Sequence, residues 1–134
     1  MWGENMPISS NQSMMILIFV ENQKKSRDFY KEVLDMEPFM DVPGITEFKL
    51  ADNMLLGIMP SEGLKNMMDL KAIKHWEEGS TPKCQIYFPV DEPDEYYKRA
   101  VKAGGKGIME GKPTPWGGYI CYCMDLDGNL LAFA

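Results

Sequence analysis

The sequence predicts an α+β fold of two tandem βαβββ units, on three observations. Met124-Asp125-Leu126-Asp127-Gly128-Asn129 is an acidic turn between two strand-like runs, Tyr119 to Met124 and Leu130 to Ala134. Asp-Gly between alternating apolar residues is a strong hairpin signal, because glycine takes positive φ without steric cost. A weaker copy lies upstream, where Thr46 to Leu50 and Met54 to Ile58 flank Ala51-Asp52-Asn53. Each copy is preceded by a strand and then a helix. Phe29-Tyr30-Lys31 corresponds to Tyr96-Tyr97-Lys98 and Val20 to Val90, so the repeat period is close to half the chain.

Taken in order, Met1 to Ser13 is polar and aperiodic apart from Trp2, and is expected to fray. Met14 to Val20 is an apolar run of strand length, read as a strand buried on both faces. Asn22 offers an N-cap, and Phe29, Tyr30, Val33 and Leu34 form one stripe at helical spacing before Asp35. Pro38 restricts Met36 to Val42 to a short edge strand, and Pro43-Gly44 turns the chain into the first hairpin. Pro60 to Lys83 carries no strand signal; Leu64, Met67 and Met68, extended by Lys71, mark one face of a short helix. A connector this long is usually functional or mobile. Cys84 to Val90 restores a strand, with Ile86, Phe88 and Val90 on one face and Gln85, Tyr87 and Pro89 on the other. Asp91 is expected to cap a second helix that has Pro93 near its start, a stripe of Tyr96, Tyr97, Ala100 and Val101, and Lys102 and Gly104 at its close.

A chain of 134 residues suits one domain, residues 1–134, with module one at about 14–60, a connector at 61–83 and module two at about 84–134. A formal charge of −6 argues against a phosphate-binding surface, so no nucleic-acid partner is expected. No apolar run reaches membrane-spanning length, and Met1 to Ser13 lacks the pattern of a signal peptide. The expectation is a cytoplasmic protein with no membrane partner. Three cysteines, all in the C-terminal half, do not make a disulfide framework and fit a reducing compartment. Twelve methionines read first as adaptable core filling and second as a forgiving apolar binding wall.

Two βαβββ units with an aromatic pair on each helix and an Asp-x-Asp-Gly hairpin at the end resemble the vicinal oxygen chelate superfamily. That superfamily includes glyoxalase I, the bleomycin resistance proteins and the extradiol dioxygenases. The resemblance runs from about Met14 to Ala134. It rests on Val20-Glu21-Asn22-Gln23-Lys24-Lys25-Ser26-Arg27-Asp28-Phe29-Tyr30, on Pro115-Trp116-Gly117-Gly118, and on Asp125-Leu126-Asp127-Gly128-Asn129. It implies two curved half-sheets side by side, forming a cup for a small molecule, and a homodimer. It also implies a divalent metal held from the first and last strands of each unit. The matching positions are Met15, Gly57, Gln85 and Ala132, of which only Gln85 is a donor suited to such an ion. Ala132 stands where the resembling proteins place an acid. One amide among thioether, glycine and alanine does not make a site for a hard ion, so no metal and no cofactor are expected.

Strand alternation gives a second view of the cup. If Ile16, Ile18, Ile86, Phe88, Tyr122 and Phe133 pack under the helices, then Met15, Leu17, Phe19, Gln85, Tyr87, Tyr119, Cys121, Cys123, Leu130 and Ala132 face the other way. In the first hairpin Glu47, Lys49, Leu55 and Gly57 join them. Each candidate has a duller alternative. Cys121 and Cys123 read as buried thiols before a soft-metal pair, and His75, the one histidine, as a solvated loop residue before a general base. Glu47 reads as a partner of Lys49 before a cup carboxylate with a raised pKa. Trp116 covers the cup mouth or stacks on a flat ligand, and Gln85 anchors a ligand or a water. The leading expectation is a metal-free protein that binds a small, partly aromatic ligand without changing it. The alternative is an enzyme like lactoylglutathione lyase or a dioxygenase, with a relocated or absent metal site or with Glu47, Tyr119 and Cys123 as acid and base groups. A structural interaction module is the third class.

Overall fold

The computed structural model describes residues 6–67 and 82–134. The first unit comprises β1 (Met14–Val20), α1 (Gln23–Leu34), β2 (Met40–Val42), β3 (Ile45–Ala51) and β4 (Met54–Pro60). After α2 (Ser61–Met67), the second comprises β5 (Cys84–Phe88), α3 (Pro93–Lys102), β6 (Lys106–Pro113), β7 (Tyr119–Met124) and β8 (Leu130–Phe133). All eight strands form one sheet in the order β2-β3-β4-β1-β5-β8-β7-β6. In each unit the first strand runs parallel to the last, β1 with β4 and β5 with β8. The units join through antiparallel pairing of β1 with β5, which sets Met15 opposite Tyr87 and Leu17 opposite Gln85. The α+β fold of two βαβββ units is therefore the one the repeat predicted. β6 is the strand whose bounds the sequence did not mark, because Gly107 and Gly111 break its alternation and its register with β7 shifts twice.

Helix α1 begins as expected, with the Asn22 side chain accepting the Lys25 N–H at 2.9 Å. It ends in a Schellman arrangement, in which the Asp35 N–H donates to the Glu32 carbonyl and the Met36 N–H to the Lys31 carbonyl. Asp35 takes φ 51° and ψ 50° there, a left-handed position that usually belongs to glycine. The Gln23 amide fastens the start of α1 to the β2–β3 hairpin. It donates to the Val42 carbonyl and the Thr46 hydroxyl, both at 2.9 Å, and accepts the Gly44 N–H at 3.0 Å. Thr46 in turn donates to Asp41, which also pairs with Arg27. The Thr46 hydrogen bond, more than Arg27, holds the Asp41 carboxyl below its ordinary range.

Helix α3 departs from expectation at its start. Glu92, not Asp91, holds the cap position, and no side-chain bond closes it. Pro93 at the first turn, Asp94 and Glu95 beside it, and Arg99 and Lys102 in the last turn supply what the cap does not, each sign suiting its end of the helix dipole. α1 rests on β3 and β4, and α3 on β6, β7 and β8, on the same side of the sheet. The seam between β1 and β5 is thus thinly covered, and Ile16 remains 40% exposed, which corrects the expectation that β1 is buried on both faces. Half of the α1 stripe also stays in solvent: Tyr30 and Leu34 turn inward, whereas Phe29 and Val33 are 59% and 61% exposed.

The last hairpin forms where expected but with one residue more in its loop than Asp-Gly implies. The Gly128 N–H donates to the Asp125 carbonyl, Gly128 takes φ 87°, and the Asp125 N–H donates to the Asn129 carbonyl. This is a three-residue loop closed by a glycine bulge. The Asp125 carboxylate accepts the N–H groups of Asp127 and Asn129 at 2.9 Å and the Asn129 amide at 2.8 Å. Those bonds, led by the Asn129 side chain, lower its pKa from 3.8.

Asp35→Gly should raise the unfolding free energy by about 0.5–1 kcal/mol, since it relieves a left-handed residue whose side chain has no bond among the described residues. Urea denaturation measures this; a lower midpoint would mean that the Asp35 side chain contributes more than its backbone costs.

Candidate functional site

Antiparallel and parallel partners share a face of the sheet, so the registers assign every side chain on it. One row reads Met40, Glu47, Gly57, Leu17, Gln85, Leu130 and Met124. The next reads Lys49, Leu55, Met15, Tyr87, Ala132, Tyr122 and Met109. These rows lie on the face away from α1 and α3. Leu17, Leu130, Ala132, Tyr122 and Met124 are nevertheless buried, in one cluster with Phe19, Ile120 and Leu64 of α2. Met15, Ile45, Met59, Tyr87 and Met109 pack around that cluster. Burial of this face, with Leu64 of α2 and strands as far apart as β3 and β6 sharing one cluster, is the arrangement of a cup. Leu55, Met15 and Tyr87 are only half-buried and mark its open part.

Of the expected site residues, Met15, Glu47, Gly57, Gln85, Tyr87 and Ala132 lie together on this inner face. Gly57 is there for space: a Cβ on it would lie 2.6 Å from both the Met15 sulfur and a Leu17 methyl. The side chains of β1 therefore lean over β4.

Tyr119, Cys121 and Cys123 do not belong to the cup. Cys121 and Cys123 are fully buried on the helix side, in a cluster with Val90, Phe133, Tyr96 and Tyr97. Burial pushes both thiols up to about 11. Tyr119 donates to the Asp94 carboxylate at the start of α3, at 2.7 and 2.8 Å, and that bond raises its pKa to about 12. The acid and base roles considered for Tyr119 and Cys123 fall with this placement. Trp116 is 75% exposed on the turn between β6 and β7. His75 lies outside the described residues.

The residue that alternation missed is Tyr122. An Asp127-Gly128 loop of two residues would pair Tyr122 with Phe133 and turn it toward the helices. The observed loop of three pairs Tyr122 with Ala132 and Cys121 with Phe133. A shift of one residue sends every side chain of a strand to the opposite face. The only sequence signal for the longer loop is Asp125, whose side chain caps the turn.

The polar groups of the cup have distinct environments. Glu47 is 9% exposed, and its carboxylate has no hydrogen bond or ion pair among the described residues. Desolvation alone raises its pKa above 4.5. The expected partner, Lys49, instead holds its amine over the Phe39 ring, 5.8 Å from the centroid. Burial raises the pKa of Tyr87, and the charge of Glu47 adds to the shift, so the two lie within electrostatic reach across the cup. Tyr122 is pushed up to about 12 by burial and by Tyr87. Gln85 is 3% exposed, and its Oε1 accepts no hydrogen bond among the described residues.

A divalent metal does not fit this donor set. Met15, Gly57 and Ala132 bring no oxygen or nitrogen donor to the positions flanking Gln85, and no cluster of three His, Cys, Asp or Glu occurs among the described residues. Glu47 and Gln85 lie three strand spacings apart, about 14 Å between backbones, and cannot complete a shell by themselves.

Solved structures share the fold. A structure titled NAD-dependent benzaldehyde dehydrogenase from Legionella pneumophila is 22% identical, with TM-score 0.65 over 90% of this chain and 96% of that one. A glyoxalase/bleomycin resistance protein/dioxygenase superfamily member from Vibrio splendidus 12B01 is 16% identical, with TM-score 0.56 over 90% and 95%. The Mn(II)-bound glyoxalase from Novosphingobium aromaticivorans is 17% identical, with TM-score 0.54 over 91% of this chain and 37% of that one. No curated protein matches the chain. A family model matches residues 13–133, nearly the whole double unit described above, and the chain belongs to the Glyoxalase/Bleomycin resistance protein/Dioxygenase superfamily.

Proposed function

We propose that the cup binds a small, partly aromatic organic molecule without a metal ion, and that Gln85 is its polar anchor. The observation that carries this reading is the buried Gln85 Oε1, unpartnered among the described residues. An amide oxygen withdrawn from water without a partner costs about 1–3 kcal/mol, and a ligand N–H or O–H is the group that recovers it. Met15, Leu55 and Tyr87 form the half-buried wall beside it. Apolar walls supply affinity and a few polar groups fix orientation.

Gln85→Leu separates a binding role from a structural one. It removes the orphaned oxygen, so the free protein should unfold at a denaturant concentration no lower than wild type, while ligand affinity falls by about fivefold or more. Titration calorimetry with a panel of aromatic metabolites reads the second quantity. Unchanged affinity in the variant, or no saturable binding across the panel, would overturn the reading.

The donor set leads to a second expectation. After dialysis, elemental analysis should find well under one zinc, nickel, iron or manganese per chain, and a stoichiometric metal would revive the lyase and dioxygenase alternative.

A homodimer is the assembly we propose, supported by apolar side chains open on the side of α1 and the β2 edge: Phe29, Val33, Phe39 and Val42, each between 46% and 62% exposed. Light scattering at micromolar concentrations should give twice the chain mass, and the monomer mass would refute it.

A further inference from the structure

Resting on the cup as a ligand site, we propose that Glu47 is the counter-ion of a protonated amine, so that the ligand is an elongated cation with an ammonium at one end and a hydrogen-bond donor at the other. Glu47 lies on β3, outside the four positions from which a metal would be held. The residue is nine-tenths buried, and its carboxylate has neither hydrogen bond nor ion pair among the described residues. A buried carboxylate without a partner is costly in its charged form, and proteins keep such groups where something compensates the charge. On its inner face Glu47 meets Met40 from β2 and Gly57 from β4, neither of which donates a hydrogen bond.

Among the described residues, two other charged or titratable groups face it. Lys49 follows on the same strand but is exposed and turned to Phe39. Tyr87 from β5 has a pKa raised above 10.0, so it stays neutral where a carboxylate titrates. Among the described residues, the inner face around Glu47 therefore offers one acid and no cation to match it.

Glu47 and Gln85 stand in one row, with Gly57 and Leu17 between them. Gln85 Oε1 is a buried acceptor and the Glu47 carboxylate an acidic one, neither has a partner among the described residues, and neither can satisfy the other. A carboxylate and an amide oxygen on one face, with apolar residues between them, select a molecule with donors at both ends, and the carboxylate end selects for positive charge. A net charge of −6 adds a weak field of the same sign.

The probes are three molecules of nearly one shape: tyramine, its neutral alcohol analogue tyrosol, and the anionic 3-(4-hydroxyphenyl)propionate. Calorimetry on the full chain should show tyramine binding about tenfold or more tighter than tyrosol, and the propionate weakest. Glu47→Gln should erase the preference for tyramine over tyrosol, with thermal unfolding verifying that the variant is folded. Glu47→Leu serves as a second variant with the same expectation. Tyramine affinity should rise from about pH 4 to about pH 7 as Glu47 ionises, because the cation binds the charged form. Equal affinity for tyramine and tyrosol, or a tyramine affinity that falls as pH rises, would overturn the cation proposal and leave the cup as a site for neutral ligands. Failure of all three probes, together with the aromatic panel, would overturn both the proposal and the reading it rests on.

Discussion

The antiparallel seam between β1 and β5 is the constraint on which the rest of this structure depends. Each βαβββ unit alone is a four-stranded sheet with a helix on one side, and neither can enclose a ligand. Pairing Leu17 with Gln85 and Met15 with Tyr87 aligns the inner faces of the two units residue by residue. Glu47 from one unit and Tyr87 from the other then come within electrostatic reach. A seam displaced by one residue would turn Leu17 and Met15 outward and bring Ile16 into the cup.

Much of this was legible in the sequence, for physical reasons that can be named. Asn22 announced α1 because its side chain replaces a missing backbone acceptor, and the structure shows that bond. Both hairpins were marked by short polar interruptions in apolar runs, and the likeness of the two halves carried the topology. Asp91 misled because both it and Glu92 are acidic, and with no side-chain cap formed the boundary is set by Pro93. The face of β7 was not legible. Alternation along one strand says which residues share a face, but only the loop says which face that is. Here the loop holds three residues and the Asp-Gly signal implied two. Tyr122 was thereby hidden, and Tyr119, Cys121 and Cys123 were sent to the wrong side. Burial of Gln85 in the cup followed from its strand partners, whereas the isolation of Glu47 from Lys49 did not, since nothing local indicates that Lys49 prefers the ring of Phe39.

Membership of the superfamily and the residues at its metal positions pull in different directions. The fold is retained along almost the whole chain, while the positions that would hold an ion carry side chains that pack. Met15 and Ala132 belong to the apolar lining of the cup, and Gln85 is left with an oxygen that no neighbour among the described residues satisfies. Scaffold and site are separable in this way because the sheet is stabilised by its ladders and its apolar clusters, neither of which needs a chelated ion.

The crowding over Gly57 bears on how such a chain changes by mutation. The Met15 sulfur and a Leu17 methyl occupy the volume that any side chain at position 57 would require. A carboxylate introduced there meets both before it reaches the open cup. Placing an acid at that position is thus contingent on Met15 and Leu17 giving way, and shortening Met15 alone opens a void beside Leu17 with no gain in coordination. Positions 15 and 57 on neighbouring strands are therefore coupled: a long side chain at one excludes a side chain at the other, so neither can change its bulk independently.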